Sequence, residues 1–146
     1  MSLEIIIILG VLIFLAGSFS YAIPSKKSQE ISKFRMEALK FGAKINILTK
    51  ADTTFKSNDL SLVNYVIKNN SSLQDAHFIR DKTEFILYSP LKLKYEDNFF
   101  ELISKLNNLS EDVVEIVYIG KQITFLWKEK NDLTKLKQIS AELNQI

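Results

Sequence analysis

The hydrophobic pattern opens with a long apolar stretch near the start of the chain. Residues 5–25 carry no charged side chain. Because an α-helix rises about 1.5 Å per residue, roughly 20 such residues match the roughly 30 Å hydrocarbon core of a bilayer. The stretch therefore predicts a transmembrane anchor at residues 1–24, which Pro24 stops or kinks. Cleavage as a secretory signal is the alternative, and it is disfavoured because no Lys or Arg precedes the stretch.

A helical pattern follows the apolar stretch over residues 25–42. Apolar residues recur there at spacings of three or four: Ile31, Phe34, Ala38 and Phe41. This spacing predicts an amphipathic juxtamembrane helix, and Gly42 is well placed to end it. One interpretation lays the helix on a lipid surface. The favoured one packs its apolar stripe onto the following domain, because acidic residues are interleaved with the basic ones.

Beyond residue 42 the pattern changes to short apolar runs separated by polar residues. Alternation and enrichment in β-branched and aromatic residues predict strands at residues 43–50, 60–68, 77–80, 84–89, 113–119 and 122–128. Residues 60–68 also fit a helix. Gly120 and Lys121 join the last two runs as a type II′ hairpin requires, and Trp127 is expected in the core.

Two helices are predicted among and after these strands. Residues 98–107 carry an apolar stripe, with Asn98 and Glu101 in capping-box spacing, and Asp132 opens a final helix. The order of elements predicts an α+β fold. We expect one N-terminal transmembrane helix followed by a small soluble two-layer domain, residues 43–146, with a mainly antiparallel sheet and helices packed on it.

Charge is distributed unevenly along the chain. The formal net charge is +2, but residues 1–50 hold 7 Lys/Arg and 3 Asp/Glu, whereas residues 51–146 hold 12 and 14. Basic residues beside the anchor are expected to contact anionic lipid: Lys26, Lys27, Lys33 and Arg35. Because basic flanks stay cytoplasmic, we expect a bacterial inner-membrane protein with its N-terminus outside and its domain in the cytoplasm. The slightly acidic domain disfavours nucleic-acid binding.

Small residues within the anchor suggest a second use for it. They are expected to allow another helix to approach closely: Gly10, Ala16, Gly17 and Ser20. The expected partner is an integral membrane protein complex, and a homo-oligomer is the alternative. Small residues are also common in any spanning helix, so this pattern alone does not decide between a contact and a simple anchor.

Residues with catalytic or ligand chemistry are sparse. The chain has no Cys and a single His, His77, so a zinc site is excluded. Its four glycines form no phosphate-binding loop, and no Ser elbow accompanies His77. We therefore expect no cofactor, no metal and no enzymatic activity. Three aromatic residues in or beside predicted loops are expected either to contact a partner or to pack into the core: Phe55, Tyr65 and Tyr95.

The first 50 residues resemble a known family in layout. An apolar span, the exit Pro24-Ser25-Lys26-Lys27 and a charged helix before a strand are similar in arrangement to the small accessory subunit of the bacterial preprotein translocase. The similarity departs after Gly42, where that family carries a Gly-Asp strand start and paired glycines. More of the chain resembles uncharacterised small single-pass inner-membrane proteins of gammaproteobacteria, which have a Pro-Ser exit and a C-terminal hairpin-helix unit.

These patterns together predict a membrane-anchored, non-enzymatic accessory or scaffold protein that presents a small cytoplasmic domain to a membrane protein complex. One alternative is a peripheral domain that binds a lipid surface through the basic juxtamembrane helix. Such binding weakens as salt screens the charges, so liposome flotation at rising salt distinguishes the two. The other alternative, which the resemblance implies, is a subunit associated with the secretion translocase.

Overall fold

The structure is a computed structural model that describes residues 2–22, 24–46 and 61–146. The chain divides into two compact units, Met1–Lys33 and Phe34–Ile146. Helix α1 spans Leu3–Ala22, and helix α2 spans Lys26–Phe41. The boundary between the units therefore falls within α2, and its second half belongs to the larger unit.

Helix α1 forms where the apolar stretch predicts a helix. Among the described residues, however, no helix is both long enough and apolar enough to cross a membrane. The prediction of a transmembrane anchor is therefore wrong, and the fold class that the described residues show is α+β. The run free of polar side chains lies between Glu4 and Ser18, and it rises only about 20 Å against a hydrocarbon core of roughly 30 Å.

The larger unit is built on an antiparallel sheet. Its strands are β1 (Lys44–Asn46), β2 (Leu62–Lys68), β3 (Asp75–Asp81), β4 (Glu84–Ser89), β5 (Val113–Ile119) and β6 (Gln122–Lys128). In the part of the chain that the structure describes, these six pair in the order β1-β2-β6-β5-β3-β4. Each pair is antiparallel. The predicted α+β class and antiparallel sheet are confirmed, and most of residues 60–68 prove to be strand.

The helices of the larger unit follow the strands in sequence. A short 3₁₀ helix (Leu91–Tyr95) and helix α3 (Phe99–Asn107) lie between β4 and β5, and helix α4 (Leu133–Asn144) follows β6. The side chain of Asp132 caps α4 by accepting hydrogen bonds from the backbone N–H groups of Thr134 and Lys135. Asn98 makes no such bond at the start of α3, so the predicted capping box does not form there.

The hairpin of β5 and β6 matches its predicted residues throughout. Gly120 adopts a φ of +53°, which lies in the left-handed region that glycine tolerates best. The register places Ile116 opposite Phe125, and Phe125 opposite Tyr65 of β2. Because side chains directly opposite each other share one face of a sheet, these three residues lie together on the face that forms the core.

Helix residues join this face in one hydrophobic cluster. Trp127 is fully buried, as predicted, and its ring lies 6.2 Å from that of Phe34 in α2 and 5.8 Å from that of Tyr65. Ala38 of α2 is fully buried in the same cluster, and α4 contributes Leu136, Ile139 and Leu143. The apolar stripe of α2 therefore packs on the domain, which is the favoured of its two predicted uses.

Gly42 ends α2 as predicted. It has a φ of +98°, and its N–H donates to the carbonyl of Leu39 at 3.0 Å. The N–H of Ala43 donates to the carbonyl of Ala38, also at 3.0 Å. These two bonds form a Schellman motif, which satisfies carbonyls that the end of a helix otherwise leaves without partners.

Candidate functional site

The basic residues predicted to contact lipid are placed differently from one another. Lys26, Lys27 and Lys33 are exposed on α2. Arg35 instead faces the domain and forms an ion pair with Glu129, with Nη2 2.8 Å from Oε2. Its Nε also donates to Oε1 of the same carboxylate at 3.2 Å. This forked geometry occupies the guanidinium, so Arg35 holds α2 on the domain and is not part of a free basic surface.

A second donor completes the cluster around Glu129. The hydroxyl of Tyr65 donates to Oε1 of Glu129. Burial, followed by this hydrogen bond, raises the pKa of the Tyr65 hydroxyl. The hydrogen bond to Glu129 also raises the pKa of Arg35. Tyr65 is fully buried, so of its two predicted uses the structure shows packing into the core.

The remaining predicted contact residues have mixed outcomes. Tyr95 is 88% exposed at the end of the 3₁₀ helix, so its side chain is free to meet a partner. Phe55 lies outside the described residues. Gly10, Ala16 and Gly17 lie in α1, where a Cβ built on either glycine meets no atom within 4 Å. The side chain of Ser20 lies outside the described ones.

One buried acid-imidazole pair was not predicted from the sequence. His77 on β3 and Glu115 on β5 are buried, with Nε2 2.6 Å from Oε1. The ring of Tyr88 lies 4.9 Å from that of His77. The signal available in the sequence was Glu115 itself, since an acid within an apolar strand needs a buried partner and His77 is the single histidine.

The chemistry available to the His77–Glu115 pair depends on which side chains lie next to it. Ser89 lies opposite His77 in the register of β3 and β4, and both line a groove of about 340 Å³. Nucleophilic catalysis requires a hydrogen bond between the hydroxyl and the imidazole, with the carboxylate orienting the ring. Nε2 of His77 instead contacts Glu115, which ties β3 to β5. We therefore interpret the pair as a cross-strand connection.

Arg80 fills a similar structural role at the other end of β3. It is buried, and its guanidinium donates to backbone carbonyls of Thr83, Leu109, Ser110 and Val113. Its charge also lies 4.2 Å from the ring centre of Phe85. Burial lowers the pKa of Arg80, but guanidinium groups remain protonated in proteins. These bonds fix the loop between α3 and β5 to the sheet.

Among residues 2–22, 24–46 and 61–146, no three His, Cys, Asp or Glu side chains are grouped so as to hold a metal ion. Large apolar side chains are exposed along α1 and in the segment from Leu91 to Phe100. These two surfaces are the candidate sites for contact with another molecule.

No protein-family model matches this chain, and no curated protein or solved structure matches it either.

Proposed function

We propose that this protein is a non-enzymatic accessory protein that docks onto a larger protein assembly through α1 and presents the unit Phe34–Ile146 to that assembly. The observation that carries the proposal is the exposure of α1. Leu3 and Phe14 are each 75% exposed, and the Ile and Leu residues between them are about half exposed or more. A helix that is apolar on every side is found buried, so α1 needs a partner that covers it.

The geometry of α1 favours an enclosing protein partner over a lipid surface. Helices that lie on lipid have one apolar and one polar face, whereas the described side chains from Ile5 to Gly17 are apolar all round. The basic helix α2 is a weaker lipid ligand than its sequence suggests, because Arg35 is held by Glu129. Its remaining basic residues are interleaved with Glu30 and Glu37.

The test compares two double variants that make the same chemical change on different helices. Ile8→Asp with Leu12→Asp places two charges on α1, and Met36→Asp with Leu39→Asp places two on exposed apolar positions of α2. The tagged full chain is crosslinked in its native cells and purified. We expect one protein in stoichiometric amount with the unchanged chain and the α2 variant, and recovery reduced about tenfold or more with the α1 variant.

Two results would contradict the proposal. The first is equal recovery of the partner from both variants, which would place the contact outside α1. The second is flotation of the full chain with anionic vesicles that fades as salt rises and disappears in Lys26→Glu with Lys27→Glu, which would favour the lipid-surface alternative. Circular dichroism of each variant checks that the domain has folded.

A further inference from the structure

A groove of about 490 Å³ lies between the end of α2, the end of β2 and the C-terminal half of α4. Its apolar lining includes Phe41, Ile67 and Ala141, and its polar lining includes Lys68, Lys137 and Ser140. A volume of roughly 300–1,000 Å³ lined by apolar side chains and a few polar groups is typical of sites for small organic ligands. We propose that this groove, called the α2–α4 groove, binds a small organic anion whose carboxylate is attached to an apolar body.

The elements around the α2–α4 groove are joined to one another by direct contacts. Lys137, Ala141 and Asn144 follow one another at spacings of four and three, so they lie on one side of α4. Nζ of Lys137 lies 5.8 Å from the ring centre of Phe41, which joins this side of α4 to the end of α2. The N–H of Asn70 donates to Oδ1 of Asn144 at 2.7 Å, which joins it to the loop after β2. The lining residues therefore surround one opening.

The charge of the groove favours an anion. Among the described residues, its lining includes the exposed Lys68 and Lys137 but no Asp or Glu, and neither lysine forms an ion pair. The contact between Lys137 and the Phe41 ring leaves the N–H donors of the ammonium group available to a ligand. Glu142, the acid that follows Ala141 in sequence, does not line the groove and accepts a hydrogen bond from Gln138 at 2.9 Å.

The helix ends at the groove are capped, which reduces their repulsion of an anion. Carbonyls at a helix C-terminus carry partial negative charge where they lack partners. The carbonyls of Ala38 and Leu39 accept the two bonds of the Schellman motif, and those of Ser140 and Leu143 accept side-chain hydrogen bonds. Ser140 is 6% exposed, and its hydroxyl has no hydrogen-bond partner in the described part of the chain. This hydroxyl is therefore available to donate to a carboxylate.

The apolar lining determines what the anion is attached to. Phe41 is 41% exposed and Ala141 is also exposed, and Ile67 lies buried beneath them. An apolar body that covers these side chains removes apolar surface from water. A carboxylate is a better match than a phosphate, because the described lining contains no Arg, whose fork of donors suits phosphate best. The groove lies within the larger unit and does not depend on the contact proposed for α1.

The experiment titrates the isotope-labelled full chain, kept in solution by a non-ionic detergent, and follows its amides by two-dimensional NMR. The probes are phenylbutanoate and phenylbutanamide, which have nearly the same shape but differ in charge at neutral pH. Partition of each probe into detergent micelles is measured without protein and subtracted. We expect phenylbutanoate to shift amides of the α2–α4 groove and to bind about tenfold more tightly than phenylbutanamide.

Matched variants separate the charge of the groove from its apolar lining. Lys137→Gln should remove most of the difference between the probes, because it removes an ammonium group and leaves the apolar lining in place. Ala141→Phe should weaken both probes, because its ring fills the groove. Lys92→Gln, an exposed lysine of the 3₁₀ helix outside the groove, should change neither affinity. The amide spectrum of each variant shows whether it has folded.

Three results would each overturn the inference: equal affinity for the two probes, shifts that fall outside the groove, or no shift at millimolar phenylbutanoate. These results concern the larger unit alone, so this inference and the proposed function fail separately.

Discussion

Asp112 lies where three separate segments of the larger unit meet, and its charge should make stability depend on pH. It precedes β5, and its carboxylate pairs with Lys130 of the loop after β6 and with Lys135 of α4. The Nζ–O distances are 2.9 Å and 2.5 Å. The Asp112 carboxylate is 13% exposed, whereas Lys130 is more than half exposed. Replacing Asp112 with Asn keeps the shape of the side chain and removes its charge.

The magnitude follows from the pKa of Asp112. Burial alone would raise it, but the hydrogen bonds from Lys135 and Lys130 outweigh burial and lower the pKa to about 2 from 3.8. This lowering of the pKa corresponds to about 2.5 kcal/mol, which solvent screening of the lysines reduces to about 1–2 kcal/mol. Because the folded pKa lies below the unfolded one, this stabilisation is present above about pH 4 and is lost as pH falls through about 2.

Urea unfolding measured by tryptophan fluorescence is a suitable assay, because Trp127 is the single tryptophan and is fully buried. At pH 7, Asp112→Asn should lower the free energy of unfolding by about 1–2 kcal/mol relative to the unchanged chain. The difference should shrink towards zero near pH 2. Asp97→Asn, an exposed acid, is the control and should change little at either pH. A constant difference across this range, or the same trend in the control, would refute the reasoning.

Three further substitutions test the packing of the larger unit. Trp127→Ala should lower the free energy of unfolding by about 3–5 kcal/mol, since it empties the centre of the core. Circular dichroism in urea measures this change. A loss below about 1 kcal/mol would contradict the assigned position of Trp127. Tyr65→Phe should lower the free energy of unfolding by about 1–2 kcal/mol, because Glu129 loses a buried hydrogen-bond donor. An unchanged urea midpoint would argue against this contact. Gly120→Ala should lower the free energy of unfolding by about 1–2 kcal/mol, because alanine is strained at this left-handed φ. No steric clash adds to this cost, since a Cβ built on Gly120 meets no atom within 4 Å. A gain in the thermal midpoint would contradict this prediction.

The elements most accurately predicted from sequence are those specified by neighbouring residues. The β5–β6 hairpin needs only alternation on each side of a glycine that accepts a positive φ, and its bounds were predicted correctly. The end of α2 at Gly42 and the cap at Asp132 are equally local. In each case, the interactions that decide the conformation lie within a few residues of one another, where a sequence pattern can display them.

The contacts missing from the sequence predictions join residues that are distant in sequence. Arg35 and Glu129 are 94 residues apart, and His77 and Glu115 are 38 apart. A local pattern can signal that an acid such as Glu115 needs a buried partner, but it does not show which distant residue the strand order brings to it. Tyr65 shows the same limit: its neighbours suggest a strand beside a loop, but its burial follows from the pairing of β2 with β6.

Three charged clusters of the larger unit connect its own segments. Arg35 with Glu129 connects α2 to the end of β6, His77 with Glu115 connects β3 to β5, and Arg80 connects β3 to the loop after α3. Removing one member of a buried charged pair leaves the other without compensation, which is costly, so these groups are committed to holding the fold together. Apolar side chains are exposed along α1 and in the segment from Leu91 to Phe100, where contact with water is unfavourable. The outward-facing apolar side chains of α1 therefore support the proposal that this protein binds a partner.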